Sequence, residues 1–461
     1  MNNINIDFNE KMKIHFIGIG GISMSAIAQA LLAKGFQVTG SDSRASDLTR
    51  LLEELGAQIF IGQSPDNISS DTQTVVYTAA ISPENPELSR ARELGIPCVT
   101  RADFLGRMMK NYGTCVCVSG THGKTTTTSM LAQVMLDAGT DPTIIAGGVM
   151  PSIHGNARIG ASGNFLTEAC EYTNSFLSFF PTLAVILNVR EDHMDFFKDL
   201  ADIRNSFRRF AHLVPDDGTL VINGEIDDLD YFTAGLKCRV ITFGLNGRFD
   251  VTAKNISYDS MAHPCFDLVI NDKICAHMEL KVPGEHNIYN ALAAAAASLG
   301  MGLDIAGAAE SVSSFAGVDR RFQYKGKVGE VTVIDDYAHH PDEIDATVSA
   351  ALNMPHKKLW VVFQPHTYSR TRAFLNEFAE SLSKADAVIL TDIYAARETN
   401  TYNISSEDIM KLIQKKGTEC HYFPTFDEIE NFLLENCESG DVLITMGAGD
   451  VVLIGDSLLG K

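Results

Sequence analysis

The chain has 461 residues, 45% hydrophobic and 21% charged, which is typical of a folded globular protein and too apolar for a disordered one. At roughly 150 residues per domain, this length predicts about three domains. The formal net charge is −21, which argues against a duplex-binding or anionic-membrane protein but permits a local basic pocket for phosphates. No apolar run could span a membrane and no signal peptide begins the chain. We therefore predict a soluble cytoplasmic protein without nucleic-acid or membrane partners, leaving monomer or weak dimer open.

The nine cysteines are scattered and odd in number, and no CxxC pair is present that could begin a zinc site or a redox motif. In a chain of this length they are predicted to be reduced thiols that mostly fill the core.

Short apolar strands alternate with helical stretches, the pattern of an α/β protein with parallel sheets. In the first block, residues 15–17 predict a strand and residues 36–39 the next one, stopping at Gly40-Ser41-Asp42. Between them, apolar residues at 3–4 spacing predict a helix that Gly35 ends.

The same alternation begins again twice. Near residue 114 a strand over 114–118 precedes a helix over 126–136. A third start comes at residues 331–334. Further strands are predicted over 359–363, 387–390 and 442–446. We therefore predict three α/β blocks, with seams near residue 110 and near residues 318–328.

The first block carries a glycine-rich turn after its first strand. Gly18, Gly20 and Gly21 resemble a dinucleotide-binding fingerprint, although Ser23 stands in place of the last glycine. Asp42 ends the second strand, where a ribose-binding acid would sit. NAD(P), another nucleotide and tight packing alone are each compatible with this pattern.

The most informative stretch joins a predicted strand to a predicted helix and reads Gly120-Thr121-His122-Gly123-Lys124-Thr125-Thr126. Its glycines let the backbone approach phosphate oxygens, and the helix start favours an anion. Lys124 supplies a cation and Thr125 a hydroxyl for Mg²⁺. Val118 stands where a longer P-loop pattern has its first glycine. We predict a nucleoside triphosphate site in which Lys124 is a surface-facing charge.

Acidic residues and a histidine follow two further strands of the middle block. Glu168 and Glu171 come after Phe165-Leu166, and Asp192-His193 come after the buried run 183–187. Residues at the carboxyl ends of parallel strands gather at the ligand crevice. A carboxylate and an imidazole there suit Mg²⁺ held jointly with phosphates, whereas helix capping and a satisfied core histidine are the alternatives.

Asparagines and arginines mark the end of the middle block. Asn287 and Asn290 lie one helical turn apart, so they share a face and could hydrogen-bond a nucleobase edge. Arg320-Arg321 lies at the second seam, where a guanidinium could reach a γ-phosphate.

Two polar clusters follow strands of the third block. The first covers residues 335–341, and the second covers residues 364–372. A solvated basic helix start would explain the two arginines of the second cluster. It does not explain why His366 and Arg370 lie one helical turn apart. Both clusters are predicted to line a crevice at the carboxyl ends of the strands.

Together these stretches resemble the Mur ligase family over essentially the whole chain, from His15 to Gly449. The resemblance is carried by residues 120–128, 192–195, 283–287, 320–322, 336–341 and 364–372. The phosphate loop and the Asp-His-Met-Asp stretch mark the family broadly. The N-terminal glycines and the last two stretches are similar to members that act on UDP-N-acetylmuramate.

The resemblance implies a Rossmann-like N-terminal domain (1–110) that binds the UDP-sugar rather than NAD. It implies a central P-loop ATPase domain (111–322) with a parallel sheet, and a Rossmann-like C-terminal domain (323–461) that binds the amino acid. The implied reaction joins L-alanine to the carboxylate of UDP-N-acetylmuramate through an acyl phosphate, with ATP and Mg²⁺, in peptidoglycan precursor synthesis. The alternatives are a ligase that adds a recycled peptide to the same nucleotide sugar and, outside the ligases, an NAD-dependent oxidoreductase or a nucleotide-binding sensor.

The resemblance also implies residue roles. Lys124 and Arg321 would hold the transferring phosphoryl group, and Thr125, Glu168 and His193 would hold the metals. ATP would contact the loop Gly120–Thr126, with Asn287 and Asn290 at adenine and Asp336 and Tyr337 reaching the nucleotide from the third block. The substrates would be bound by Gly18, Gly20, Gly21, Asp42, His339, His366 and Arg370.

Two positions depart from family patterns. The acidic stretch often reads Glu-Ala-Asp-Glu, and Cys170 takes the place of the aspartate here, which leaves either Glu168 or Glu171 as the main metal ligand. Sister ligases that add later residues use a carbamoylated lysine about where Phe207 stands. This difference favours the alanine-adding type.

Overall fold

The computed structural model describes residues 6–78, 81–396 and 398–461. They form two compact units. The first holds residues up to 189 together with 204–243 and 293–308, and the second holds 190–203, 244–292 and 309–461.

The first sheet of the first unit has five parallel strands in the order β3-β2-β1-β4-β5. The central position of β1 places the loop after it at the crevice where the strand order reverses. The elements are β1 (Lys13–Ile17), α1 (Ile22–Ala33), β2 (Gln37–Asp42), α2 (Asp47–Glu54), β3 (Gln58–Ile61), β4 (Thr74–Tyr77), α3 (Pro86–Glu93), β5 (Cys98–Thr100) and α4 (Arg101–Met109).

The same unit contains a second run of strands in the order β12-β11-β10-β6-β9-β7-β8. Neighbouring strands in this run are parallel except β8, which is antiparallel to β7. The elements are β6 (Thr114–Ser119), α5 (Lys124–Asp137), β7 (Thr143–Met150), β8 (Gly155–Arg158), β9 (Asn164–Glu168), β10 (Leu183–Ile186), α6 (Leu200–Ala211), β11 (Thr219–Asn223), α7 (Leu229–Thr233) and β12 (Arg239–Phe243).

The second unit contains an antiparallel run of three strands, β13 (Val251–Tyr258), β14 (Pro264–Ile270) and β15 (Lys273–Glu279). The chain continues through two helices, α8 (Glu285–Met301) and α9 (Ile305–Ser314).

The C-terminal sheet has the order β16-β17-β21-β18-β19-β20, with β16 antiparallel and the other strands parallel. Helices cover both faces, so Trp360 packs in one core and its neighbour Val361 in the other. The elements are β16 (Gln323–Val328), β17 (Val331–Asp336), α10 (Pro341–Leu352), β18 (Leu359–Phe363), α11 (Tyr368–Ala373), α12 (Leu375–Leu382), β19 (Ala387–Leu390), α13 (Ser406–Lys415), β20 (Glu419–Tyr422), α14 (Phe426–Asn436), β21 (Val442–Met446) and α15 (Val452–Leu458).

The three predicted α/β blocks are confirmed, and the strands predicted over 359–363, 387–390 and 442–446 have the predicted bounds. Other predicted ends are wrong by one to three residues, and two of these differences have a clear structural reason. Strand β2 continues through Gly40 to Asp42, because a glycine fits where a Cβ atom would lie 2.5 Å from Cδ1 of Ile19. Helix α5 begins at Lys124 rather than Thr126, since Gly123 has φ +84° and completes the turn one residue earlier.

All nine cysteines are free thiols. Cys115, Cys117, Cys238 and Cys420 are buried as predicted, but Cys275 is exposed on β15. Among the described residues, no helix has both the length and the apolar character that crossing a membrane requires.

Candidate active site

The loop between β6 and α5 is held by close backbone packing and by one asparagine. A Cβ atom on Gly120, whose φ is +150°, would lie 2.8 Å from Cβ of Leu187, so only glycine fits. Asn188 accepts the His122 N–H at 2.8 Å and donates its amide to the His122 carbonyl at 3.1 Å. The loop therefore presents the start of α5 in a fixed position, as an anion site requires.

Lys124 is mostly buried, so the prediction of a surface-facing lysine is wrong. Its ammonium donates to the carbonyls of Gly120 and Thr121 at 2.5 and 3.0 Å and pairs with Glu171 at 3.0 Å. Its side chain is 16% exposed and that of Glu171 is 2% exposed. Burial opposes the charged form, but the neighbouring Glu171 carboxylate outweighs it and raises the pKa of Lys124. The lysine is a fixed cation.

Glu168 lies beside the hydroxyl of Thr125, whereas Glu171 is engaged by Lys124. The Thr125 hydroxyl donates to Oε2 of Glu168 at 3.1 Å, and the Gly147 N–H donates to Oε1 at 2.9 Å. A Cβ atom at Gly147 would lie 2.8 Å from that carboxylate, so the glycine makes room for it. A hydroxyl and a carboxylate at this distance are the oxygen donors that suit Mg²⁺.

The N-terminal glycine turn and Asp42 lie together, as predicted. The N–H groups of Gly18 and Ile19 both donate to the Ser41 carbonyl, at 2.8 and 2.9 Å. Oδ2 of Asp42 accepts the Gly20 N–H at 2.9 Å. A Cβ atom on Gly20 would lie 2.9 Å from the same oxygen. Asp42 thus fixes the turn at Gly20. The next residue, Gly21, directly precedes α1.

In the second unit, Asp192 joins two of the predicted site residues. Its Oδ1 atom pairs with the Arg370 guanidinium at 3.0 Å and accepts the His193 N–H at 2.7 Å. Burial raises the pKa of this carboxyl, but Arg370 outweighs burial and the pKa lies well below its usual range. His193 has φ +54°, a left-handed conformation that is uncommon outside glycine.

His366 and His339 lie in the same region and are both neutral at physiological pH. A guanidinium nitrogen of Arg370 lies 3.3 Å from Nδ1 of His366, whose ring stacks on Tyr394. Burial, and then the Arg370 charge, lower the pKa of His366 to about 4. Burial lowers the pKa of His339 to about 3, although the nearby Glu343 carboxylate opposes that shift.

The adjacent arginines at the second seam have different surroundings. Arg320 pairs with Asp335 at 3.0 Å and donates to the carbonyls of Gly447 and Gly449 at 2.7 and 3.1 Å, so its guanidinium links β17 to the loop after β21. Arg321 makes one long ion pair, 3.9 Å to Glu343, and lies over the Tyr337 ring. Its side chain is 32% exposed and so can meet an anion.

Asn287 and Asn290 share a helical face as predicted, and both are buried. The amide of Asn290 donates to Oδ1 of Asn287 at 3.0 Å, and the amide of Asn287 donates to the Pro283 carbonyl at 2.7 Å. The two side chains therefore hold each other at the start of α8. Adenine binding by this pair stays a prediction.

Asp336 has a structural task that the sequence did not indicate. Its oxygens accept N–H groups of Ala338 and Phe322 at 2.7 and 2.9 Å and the Thr347 hydroxyl at 3.0 Å. Burial raises the pKa of the carboxyl to about 6, and the Arg321 charge opposes the shift. The predicted nucleotide contact through Asp336 stays a prediction.

Models of Mur ligase domains match three stretches of the chain. The family's catalytic domain matches residues 13–113, its middle domain 118–298 and its glutamate ligase domain 320–449.

Proteins named as ligases match nearly the whole chain. A UDP-N-acetylmuramate--L-alanine ligase of Agathobacter rectalis is 55% identical over 456 residues, which are 99% of each chain. The crystal structure of the UDP-N-acetylmuramate-alanine ligase of Thermotoga maritima matches with a TM-score of 0.82 and 32% identity, covering 97% of this chain and 98% of that one. A murein peptide ligase of Psychrobacter arcticus matches with a TM-score of 0.74 and 25% identity, covering 97% and 98%. This chain belongs to the Mur ligase family.

Proposed function

We propose that this protein uses ATP to join L-alanine to the carboxylate of UDP-N-acetylmuramate, a step of peptidoglycan precursor synthesis. The observation that carries the proposal is the fixed cation Lys124 at the start of α5, beside a threonine hydroxyl and a carboxylate. The full-length similarity to alanine-adding relatives supports this substrate pair over a recycled peptide.

The first half of the reaction is phosphoryl transfer. A carboxylate oxygen of UDP-N-acetylmuramate attacks the γ-phosphorus of ATP, and ADP leaves. Such a transfer needs positioning and charge neutralisation more than covalent catalysis. Lys124 and the N–H groups at the start of α5 would hold the phosphate oxygens, and Arg321 would add a second cation.

The donors Thr125 and Glu168 fit a magnesium ion. Hard oxygen atoms 3.1 Å apart, from a hydroxyl and a carboxylate, are its preferred protein ligands. When bound, Mg²⁺ neutralises charge on the phosphates. We assign Glu168 as the main ligand because Glu171 already neutralises Lys124. His193 remains a proposed further ligand.

The second half is amide formation. The amine nitrogen of L-alanine attacks the carbonyl carbon of the acyl phosphate, phosphate leaves, and the amine loses a proton. Arg370 would bind the carboxylate of L-alanine, since a guanidinium forms charge-assisted hydrogen bonds with carboxylates. His366 is neutral beside it, so it adds no charge and holds the guanidinium in place.

Phe207 supports the alanine-adding type. Its ring is fully buried and packs edge-on against Phe176, with ring centroids 5.3 Å apart. Sister ligases have a carbamoylated lysine about here, and a buried phenyl ring cannot replace it.

Phosphate release tests the proposed function. The assay would contain ATP, Mg²⁺ and UDP-N-acetylmuramate and would compare L-alanine with other amino acids and with the recycled tripeptide. We expect release that depends on both the nucleotide sugar and L-alanine. Release with the tripeptide alone would assign the peptide-adding function instead, and no release with any acceptor would contradict a ligase.

A further inference from the structure

Asn156 on β8 forms a buried polar contact with helix α1, which follows the first strand of the N-terminal sheet. Its amide nitrogen donates to the Ile22 carbonyl at 2.5 Å and to the Ser25 hydroxyl at 3.0 Å. Its carbonyl oxygen accepts the Gln29 amide at 3.1 Å. With 2% of its surface exposed, this asparagine has partners for both ends of its amide group.

The Asn156 side chain binds the first turn of α1, which begins directly after the glycine turn. Gly21 precedes Ile22, and the Ser25 N–H donates to the Gly21 carbonyl at 2.8 Å. The N-cap residue is Gly21, which has no side chain that could cap this end. The glycine turn, which the family resemblance assigns to the UDP-sugar, is therefore held directly by Asp42 and, through the first turn of α1, by Asn156 of the central domain.

The same hairpin also holds Glu168. Strands β7 and β8 pair with Ile145 opposite Ala157, the residue after Asn156. Two residues beyond Ile145, the Gly147 N–H donates to Glu168 at 2.9 Å. One short hairpin therefore contacts both helix α1, which begins directly after the glycine turn, and the carboxylate beside the phosphate loop.

We infer that Asn156 is a positioning residue for the nucleotide sugar: it fixes the first turn of α1, and with it the glycine turn, against the central domain. The inference rests on the proposed function. A buried amide needs partners in defined directions, because an unpaired one costs free energy, and an apolar side chain would impose no such direction. Asn156 thus fixes the glycine turn relative to the hairpin that also holds Glu168.

Binding of UDP-N-acetylmuramate without ATP tests this role. The test compares Asn156→Ala with Asn164→Ala, a matched control that removes one amide contact, to the Thr140 carbonyl, within the central domain. Loss of oriented hydrogen bonds worth about 1.4 kcal/mol predicts that Asn156→Ala raises the Kd measured by calorimetry about 10-fold. The control should bind as the wild type does, even if its Tm also falls. ATP affinity should stay unchanged in both variants.

Two outcomes separate the inference from the proposed function. A wild-type protein that does not bind UDP-N-acetylmuramate would contradict the proposed function. A wild type that binds it, with Asn156→Ala binding equally well, would overturn the inference alone. If Asn156→Ala does not fold, Gln29→Ala removes a contact from the α1 side and should raise the Kd in the same direction, and an unchanged Kd there would also overturn it.

Discussion

Lys124 is both a proposed catalytic cation and half of a buried ion pair. We expect Lys124→Ala to lower kcat at least about 100-fold, because the cation strengthens its contacts as charge develops on the transferring phosphoryl group. The substitution also leaves Glu171 buried and unpaired, so the free energy of unfolding should fall by about 3 kcal/mol. Phosphate release and urea unfolding measure the two effects.

A second variant separates these effects. Lys124→Ala combined with Glu171→Gln removes the unpaired charge, so stability should recover while activity should not. Activity close to that of the wild type in either variant would contradict the assignment of the phosphate loop.

Arg370 is proposed to serve the amino acid. Arg370→Ala should raise the KM for L-alanine about 10-fold or more, because a desolvated guanidinium–carboxylate pair is lost. The acyl phosphate should still form from ATP and UDP-N-acetylmuramate and be trapped by borohydride as the alcohol. Arg372→Ala, on the same helix and exposed, is the matched control. An unchanged KM for L-alanine in Arg370→Ala would place the amino acid elsewhere.

Helix α4 packs so closely at Gly106 that no side chain fits there. A Cβ atom would lie 1.9 Å from the Ser178 carbonyl oxygen. We therefore expect Gly106→Ala to lower the free energy of unfolding by about 3 kcal/mol through overpacking. Gly113→Ala is the control, since its Cβ atom would meet nothing closer than 4.0 Å. Equal urea midpoints for the two variants would show that the helix can shift at little cost.

The elements were predictable where their signals are local. Strands such as Leu359–Phe363 are uninterrupted apolar runs bounded by polar residues, so both ends could be assigned. The end of β2 is harder to predict, because Gly40 resembles a turn glycine although its role is to let Ile19 approach the strand.

The motifs of the site are formed by adjacent residues, whereas its geometry depends on contacts between residues far apart in the sequence. The phosphate loop was predictable because seven adjacent residues form it. The ion pairs were not. Lys124 and Glu171 are 47 residues apart, and Arg370 and Asp192 are 178 apart. Nothing in the sequence near Asn156 indicates its contact with α1.

At the scale of the whole molecule, stability should depend on pH through groups of the C-terminal sheet. His339 and His366 have pKa values lowered to about 3 and about 4, against an ordinary value of about 6.5. Between these pH values the unfolded chain therefore binds more protons than the folded chain. Asp336, with its pKa raised to about 6, acts in the opposite direction. Stability should therefore fall as the pH is lowered from about 6.5 to about 4.

Urea unfolding at several pH values measures this slope. Each histidine contributes up to about 1.4 kcal/mol per pH unit. In His366→Gln, the slope of the free energy of unfolding against pH should be smaller than in the wild type by the contribution of about one proton. A stability that rises toward pH 4 would contradict the assignment of His339 and His366 as neutral.

The hairpin that carries Asn156 also affects how domains of this protein can be exchanged with those of its relatives. The asparagine belongs to the central block, while its partners Ile22, Ser25 and Gln29 belong to the N-terminal one. A chimera that joins the N-terminal block of one relative to the remainder of another would inherit only half of this contact. Grafts that carry the matching residue on β8 should succeed more often than grafts cut at the seam near residue 110. The two blocks are therefore one unit of exchange, although each has its own sheet.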